Sequence, residues 1–313
     1  MGGVVTAHGT AVPDHFSYLS IVLSKIIQSI GSMGVGIFFC VSGYLFAKGT
    51  SRYLSFTKFW RKKFTTIFIP WIISATLVYL YVALRKGGTI IEWLTSVLGY
   101  LSSYWYLSVL MVLYFAFWFI LKSRNYQIIC VLACACSIIS VILRVVHVIP
   151  QDAFGVYLNV FNWCIFFAVG ILLASAKEMR NVICRIGYIS YFGVIAIVLF
   201  LGIRKINISY FSWFYLPVEI AVIFAAICIS RNIAGSSAVQ KMGKASFSIY
   251  LYHELPWAGL TANICNRFDH WLLVLIRPFV VLGMTYLVLR MGMRLFKIVR
   301  QETVYCMLTG YKE

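Results

Sequence analysis

Apolar residues run through the chain in blocks of roughly twenty, with polar and turn-forming residues between the blocks rather than inside them. The blocks lie at about 27–47, 64–84, 105–121, 126–146, 156–175, 183–203, 210–230, 245–264 and 271–293. A hydrocarbon layer about 30 Å thick is crossed by about 20 apolar helical residues. Each block therefore predicts one membrane-spanning helix. Helices satisfy their own backbone groups in lipid, and the short alternating strands of a transmembrane barrel are absent from the pattern. A further apolar stretch, 1–12, precedes the first block, but at 1.5 Å per residue it covers only about 18 Å. The fold expected is all-α: a polytopic transmembrane bundle of about ten helices, the first apparently truncated, forming one domain over 1–313.

Composition agrees with a membrane solvent: 62% of the 313 residues are hydrophobic, 12% are charged, and the mean hydropathy is +0.89. The net charge of +18 raises the question of nucleic acid. Its distribution answers against it. With the 48–63 loop in the cytoplasm, 19 of the 27 basic residues fall on the inner side. The other eight (Lys25, Arg85, Lys86, Arg144, Arg204, Lys205, Arg267 and Arg277) fall outside or near the outer surface. That asymmetry follows the positive-inside rule and puts the C-terminus in the cytoplasm. The nine cysteines mostly lie within blocks and have neither zinc-site nor CxxC spacing, so buried thiols are expected and no metal.

Ionisable residues inside a span are costly and are functional candidates by default. Here they are His8, Glu219 in "FYLPVEIAV", and His253 with Glu254 in "GKASFSIYLYHELPW". Ser246, Tyr250, His253 and Trp257 are spaced by 4, 3 and 4, which puts a hydroxyl, a phenol, an imidazole and an indole on one helical stripe. A hydrogen-bonded seam between helices would use the same stripe. Glu219, beside Pro217, has its own bland alternative, which is to reach for the interface. The chemistry these groups suit is acylation of a hydroxyl. A histidine takes the proton of an attacking alcohol, and nearby Ser, Tyr or Trp donors hold the developing oxyanion. Asp14, six positions from His8, is poorly placed to complete a triad.

Five segments in order resemble the bacterial membrane-bound acyltransferase-3 family. They are "VVTAHG", "GVGIFFCVSGYLF" with Phe38, Phe39, Ser42 and Gly43, "FWRKKFTTIFIPW" ending at Pro70, "SYWYLSVLMVLY" with Trp105, Tyr106 and Leu107, and "GKASFSIYLYHELPW". The resemblance covers about 1–295. It implies a ten-helix inner-membrane enzyme that takes an acyl group, usually acetyl, from cytoplasmic acyl-CoA. The group would pass to a hydroxyl of an envelope carbohydrate such as lipopolysaccharide, exopolysaccharide or a lipid-linked glycan. Acyl-CoA is then a co-substrate, no cofactor is tightly bound, and the partners are membrane lipids and the glycan.

Carried onto this chain, the resemblance makes His8 the catalytic base. It implies donor contacts at Arg61, Lys62 and Lys63, with Lys58 nearby, and an acceptor or pore lining of Ser42, Trp105, Ser246, Tyr250 and His253. The chain departs from the family pattern twice. The arginine expected eleven positions before His8 would precede Met1, and Thr65 and Thr66 stand where a second basic residue is usual before Pro70. The basic cluster also reads as positive-inside charge alone, and lysine lacks the bidentate fork of arginine for phosphate. Two rival expectations remain from the sequence: a transporter or flippase of a polar or lipid-linked solute, and an inactive, N-terminally truncated family member.

Overall fold

The computed structural model describes residues 11–50, 55–100, 102, 104–152, 154–176, 180–233, 235–254 and 257–311. His8 lies outside them. Among the described residues the chain is helical with no strand, as the block pattern predicts.

The first block begins earlier than its hydropathy suggests. Tyr18–Ser32 (α1) and Gly34–Thr50 (α2) stack end to end, so Tyr18–Gly49 forms one long crossing interrupted at Met33. Phe56–Lys63 (α3) runs through one wider, π-helical turn at Phe64–Phe68 into Ile69–Lys86 (α4). A short helix at Ile90–Val97 (α5), closed by a reciprocal capping box between Thr89 and Glu92, was not signalled by the twenty-residue blocks. Trp105–Ile120 (α6), Tyr126–Val145 (α7), Val160–Ser175 (α8), Arg180–Ile203 (α9) and Tyr215–Ile233 (α10) follow. The chain finishes with Ser237–Tyr252 (α11), Trp257–Cys265 (α12), Trp271–Ile298 (α13) and Glu302–Thr309 (α14).

Among the described residues, six helical stretches are long and apolar enough to cross a membrane, and Trp105–Ile120 and Tyr215–Ser230 are apolar but shorter. The predicted span at 245–264 is not one helix. It breaks between α11 and α12, which corrects the continuous Ser246-to-Trp257 stripe. The sequence explains the stop: Pro256 has no N–H for the Tyr252 carbonyl, and it disfavours helical geometry at the residue before it.

The core is built on α2, which packs along α8, which in turn packs along α7. Gly43 faces the Phe167 carbonyl and Gly170 faces the Cys40 carbonyl, each so closely that a Cβ would collide with backbone. With no hydrophobic drive between helices in lipid, such small-residue contacts let the backbones approach and gain dispersion. Aromatic rings fill the space above them: Phe39 stacks on Trp163 at 5.5 Å, and Trp163 meets Trp105 at 4.7 Å.

Candidate functional site

The two ends of the bundle differ chemically. One carries Lys48, the α3 cations and Lys122. The other carries the break after α11, the loop before α6 and the segments that join α7 to α8 and α9 to α10. Between them α4, with 18 residues, is about 27 Å long.

At the second end, ending α11 at Tyr252 releases carbonyls that would otherwise be paired within the helix. The hydroxyls of Ser74 (2.6 Å) and Tyr104 (3.0 Å) both reach the Leu251 carbonyl and lie 2.8 Å from each other. The Tyr250 carbonyl is 2.7 Å from Nδ1 of His253, whose ring is buried. A carbonyl only accepts, so Nδ1 carries the proton. In the neutral ring the basic lone pair is then on Nε2.

Tyr250 meets Tyr106 edge-on at 5.7 Å, and the Tyr106 hydroxyl lies 3.1 Å from Oγ of Ser42. Ser42, Tyr250 and His253, singled out from the sequence, thus converge through Tyr106, which had appeared there only as part of the Trp-Tyr-Leu segment. Trp105 lies on the other side of that segment. It lines an open cavity of about 680 Å³ together with Tyr157, Tyr210 and Glu254. Ser246 is not in this cluster: its hydroxyl donates to the Gly243 carbonyl at 2.7 Å, on its own helix.

At the basic end, Arg61 and Lys62 are exposed while Lys63 is half-buried. The Lys63 ammonium lies over the Tyr114 ring at 4.0 Å and over Phe59 at 5.4 Å. The two threonines that interrupt the expected basic pattern have a local task. Thr65 Oγ1 donates to the Arg61 and Lys62 carbonyls (3.2 and 3.1 Å), and Thr66 Oγ1 donates to the Lys62 carbonyl at 2.8 Å. They add side-chain donors to the carbonyls just before the wider turn at Phe64–Phe68.

Three ionisable groups are buried in ways the sequence did not separate. Glu219 is fully buried and accepts the Ile37 N–H, rather than reaching an interface. Arg144 and Arg277, which the sequence placed with the outer charges, are 4% and 6% exposed. Arg144 donates to the Tyr210 carbonyl at 2.8 Å. Hydropathy alone cannot distinguish a basic residue at a helix end from one folded under a loop.

Residues 1–290 match the family model described as an acyltransferase domain of type 3. The chain belongs to the acyltransferase-3 family. No curated protein and no solved structure matches it. Membership makes this helical membrane protein an acyltransferase. The matched region holds both the α3 cations and the His253 cluster, and it stops short of α14.

Proposed function

We propose that this acyltransferase-3 protein moves an acyl group, acetyl in the first instance, from cytoplasmic acyl-CoA to a hydroxyl of an envelope carbohydrate. It would do so as a multi-pass inner-membrane protein with its C-terminus in the cytoplasm. The observation that carries this is the two-ended layout: exposed cations on α3, and a buried imidazole of fixed tautomer beside a roomy cavity at the far end of α4. Arg61 and Lys62 face the donor phosphates, with Lys63 held closer to the protein. His8 removes the proton of the acceptor hydroxyl as its oxygen attacks the thioester carbonyl. The carbon–sulfur bond then breaks, and the CoA thiolate leaves and takes up a proton. His253, Tyr250 and Ser42 line the acceptor side, with Trp105 on the approach.

The test is transfer of labelled acetyl from acetyl-CoA to envelope glycan by membranes holding the protein. His8→Ala is expected to abolish transfer with normal insertion. Full transfer by that variant removes His8 from the mechanism. Solute movement that needs no acyl-CoA and survives His8→Ala would replace the enzyme by a transporter.

A further inference from the structure

The two buried arginines are treated differently by the fold. Arg144 delivers a guanidinium N–H to the Tyr210 carbonyl at 2.8 Å. Arg277, on α13, has an Nε shut off from solvent without a hydrogen-bond partner, and among the described residues no carboxylate pairs with its guanidinium. Asp269, the carboxylate nearest to it in sequence, is engaged by Ser17 and Ser20 instead. Among the described residues, the titratable side chain that acts on Arg277 is the Cys265 thiol, at the end of α12.

A cation inside a membrane span is costly unless something compensates it, and it marks a functional position by default. Arg277 does not point into lipid. It shares the buried face of α13 with Val274, Pro278 and Val281, and that helix packs on α12 and α1. With 6% of its surface open, it keeps a narrow access. What the site lacks is an anion.

Depth narrows the choice of anion. The 28 residues of α13 make about 42 Å against a hydrocarbon layer of about 30 Å, which leaves about 6 Å of helix in the headgroup zone at each end. Trp271, the first residue, is exposed and stacks on His270 at 6.0 Å, as an interfacial anchor does. Arg277 stands six residues further in, about 9 Å from the start of the helix, so its Cα is only about 3 Å inside the hydrocarbon edge. An arginine side chain spans that distance. Its planar fork matches phosphate oxygens in pairs, and lipid phosphates lie at that level. A carboxylate on a free glycan would lie further out, in water.

We propose that Arg277 is the phosphate-binding group of a lipid site where α12 meets α13, holding the phosphate of a bilayer phospholipid or of a lipid-linked glycan carrier. The site does not depend on acyl transfer, because binding is read without turnover.

The experiment is native mass spectrometry of the full chain released from detergent, with probes that come in pairs. Dioleoylphosphatidylglycerol is compared with dioleoylglycerol, and undecaprenyl phosphate with undecaprenol. The phosphate-bearing member of at least one pair is expected to be retained about tenfold or more over its partner. Preference in the first pair alone identifies a bilayer lipid, in the second alone a carrier lipid, and in both the phosphate itself.

Arg277→Leu is expected to abolish the preference, and Arg277→Lys, which keeps the charge without the fork, to leave an intermediate one. In lipid-free detergent Arg277→Leu should melt no earlier than the unaltered chain, since it removes a buried cation that has no partner. The favoured lipid should raise the melting temperature of the unaltered chain and not that of Arg277→Leu. Equal retention within both pairs overturns the inference. So does a preference that survives Arg277→Leu, which would move the phosphate to other cations such as those on α3. Earlier melting or loss of folding of Arg277→Leu without lipid also overturns it, because the guanidinium would then be serving the protein's own packing.

Discussion

Oε1 of Glu219 on α10 lies 3.1 Å from the backbone nitrogen of Ile37, in the first turn of α2. The long crossing Tyr18–Gly49 is interrupted there, and a helix start inside a membrane exposes N–H groups with no water to take them. Neighbouring groups complete the repair. The Tyr215 hydroxyl donates to the Ser32 carbonyl at 3.1 Å, and Ser32 Oγ donates to the Ile208 carbonyl at 2.7 Å. Gly36 leaves the space Glu219 occupies, since a Cβ there would overlap the carboxylate.

Glu219→Ala should therefore destabilise the bundle by about 1–3 kcal/mol, the cost of leaving a buried donor unpaired. Glu219→Gln keeps an acceptor oxygen in place and should lose less. Thermal unfolding of both variants in the same detergent checks this. Equal losses would mean that the packing of the side chain matters and its oxygen does not.

Lys62 and Lys63 on α3 should separate by experiment. Lys62 is exposed, so Lys62→Ala is expected to raise KM for acyl-CoA with little change in stability. Lys63 sits over Tyr114, an attraction of about 0.5–1 kcal/mol at such a site, so Lys63→Ala should lower the unfolding temperature as well. Kinetics and melting curves on the single variants decide it, together with a topology assay, because these charges also orient α3. Identical behaviour of the two variants would reduce the cluster to a topology signal.

Much of this was legible in the sequence, because lipid enforces helices and block length reports them directly. The block at 64–84, for example, reappears within Phe56–Leu84. Tyr250 and His253 were recognisable as polar groups in an apolar helix and Ser42 through the family resemblance, and the three do converge around Tyr106. Three features were not legible. The break after His253 needs Pro256 to outweigh an otherwise continuous apolar run. The interruption at Met33 is stabilised by Glu219 from a distant helix, and no local pattern records that. Tyr157 and Tyr210 lie between helices, where aromatic residues look like ordinary interface anchors until the fold brings them to Trp105.

Gly43 and Gly170 should be intolerant of a single methyl. Each faces a carbonyl of the neighbouring helix, Phe167 and Cys40 respectively, so relief requires the two backbones to separate. Gly43→Ala also loosens the helix that carries Ser42 beside Tyr106. Overpacking of this kind costs about 1–3 kcal/mol. Both alanine variants are expected to unfold earlier, and Gly43→Ala to lose acyl transfer even below its unfolding temperature. An active, equally stable Gly43→Ala protein would show that α2 and α8 can slide apart without disturbing the Ser42 side.

His253 should affect chemistry or acceptor use rather than donor binding. Its Nδ1 is engaged with the Tyr250 carbonyl 2.7 Å away, and the neutral ring presents Nε2 as its basic atom. His253→Ala is expected to lower kcat by about 10²-fold or more if Nε2 handles a proton, with KM for acyl-CoA unchanged. His253→Asn, which can retain a donor to the carbonyl without a basic nitrogen, should preserve stability but not rate. A variant that keeps its rate would make the ring a structural plug for the end of α11.

Asp269, just before α13, fastens the start of α1. Its Oδ1 accepts from the hydroxyls of Ser17 (2.9 Å) and Ser20 (2.8 Å), and its Oδ2 from the Ser17 N–H. Desolvation works to raise the carboxyl, but the hydrogen bonds from Ser20 and Ser17, with His15 nearby, outweigh it and hold the pKa below the ordinary aspartate range. A carboxyl depressed on folding stabilises the folded state at pH values above its unfolded pKa. That contribution disappears as pH falls through the folded pKa. The unfolding temperature should therefore be insensitive to Asp269 titration near neutrality and drop below the range of a free aspartate. Asp269→Asn should start lower at pH 7 and show a smaller acid step. Superimposable acid profiles for the two proteins would mean that Ser17 and Ser20 hold the start of α1 without needing the charge.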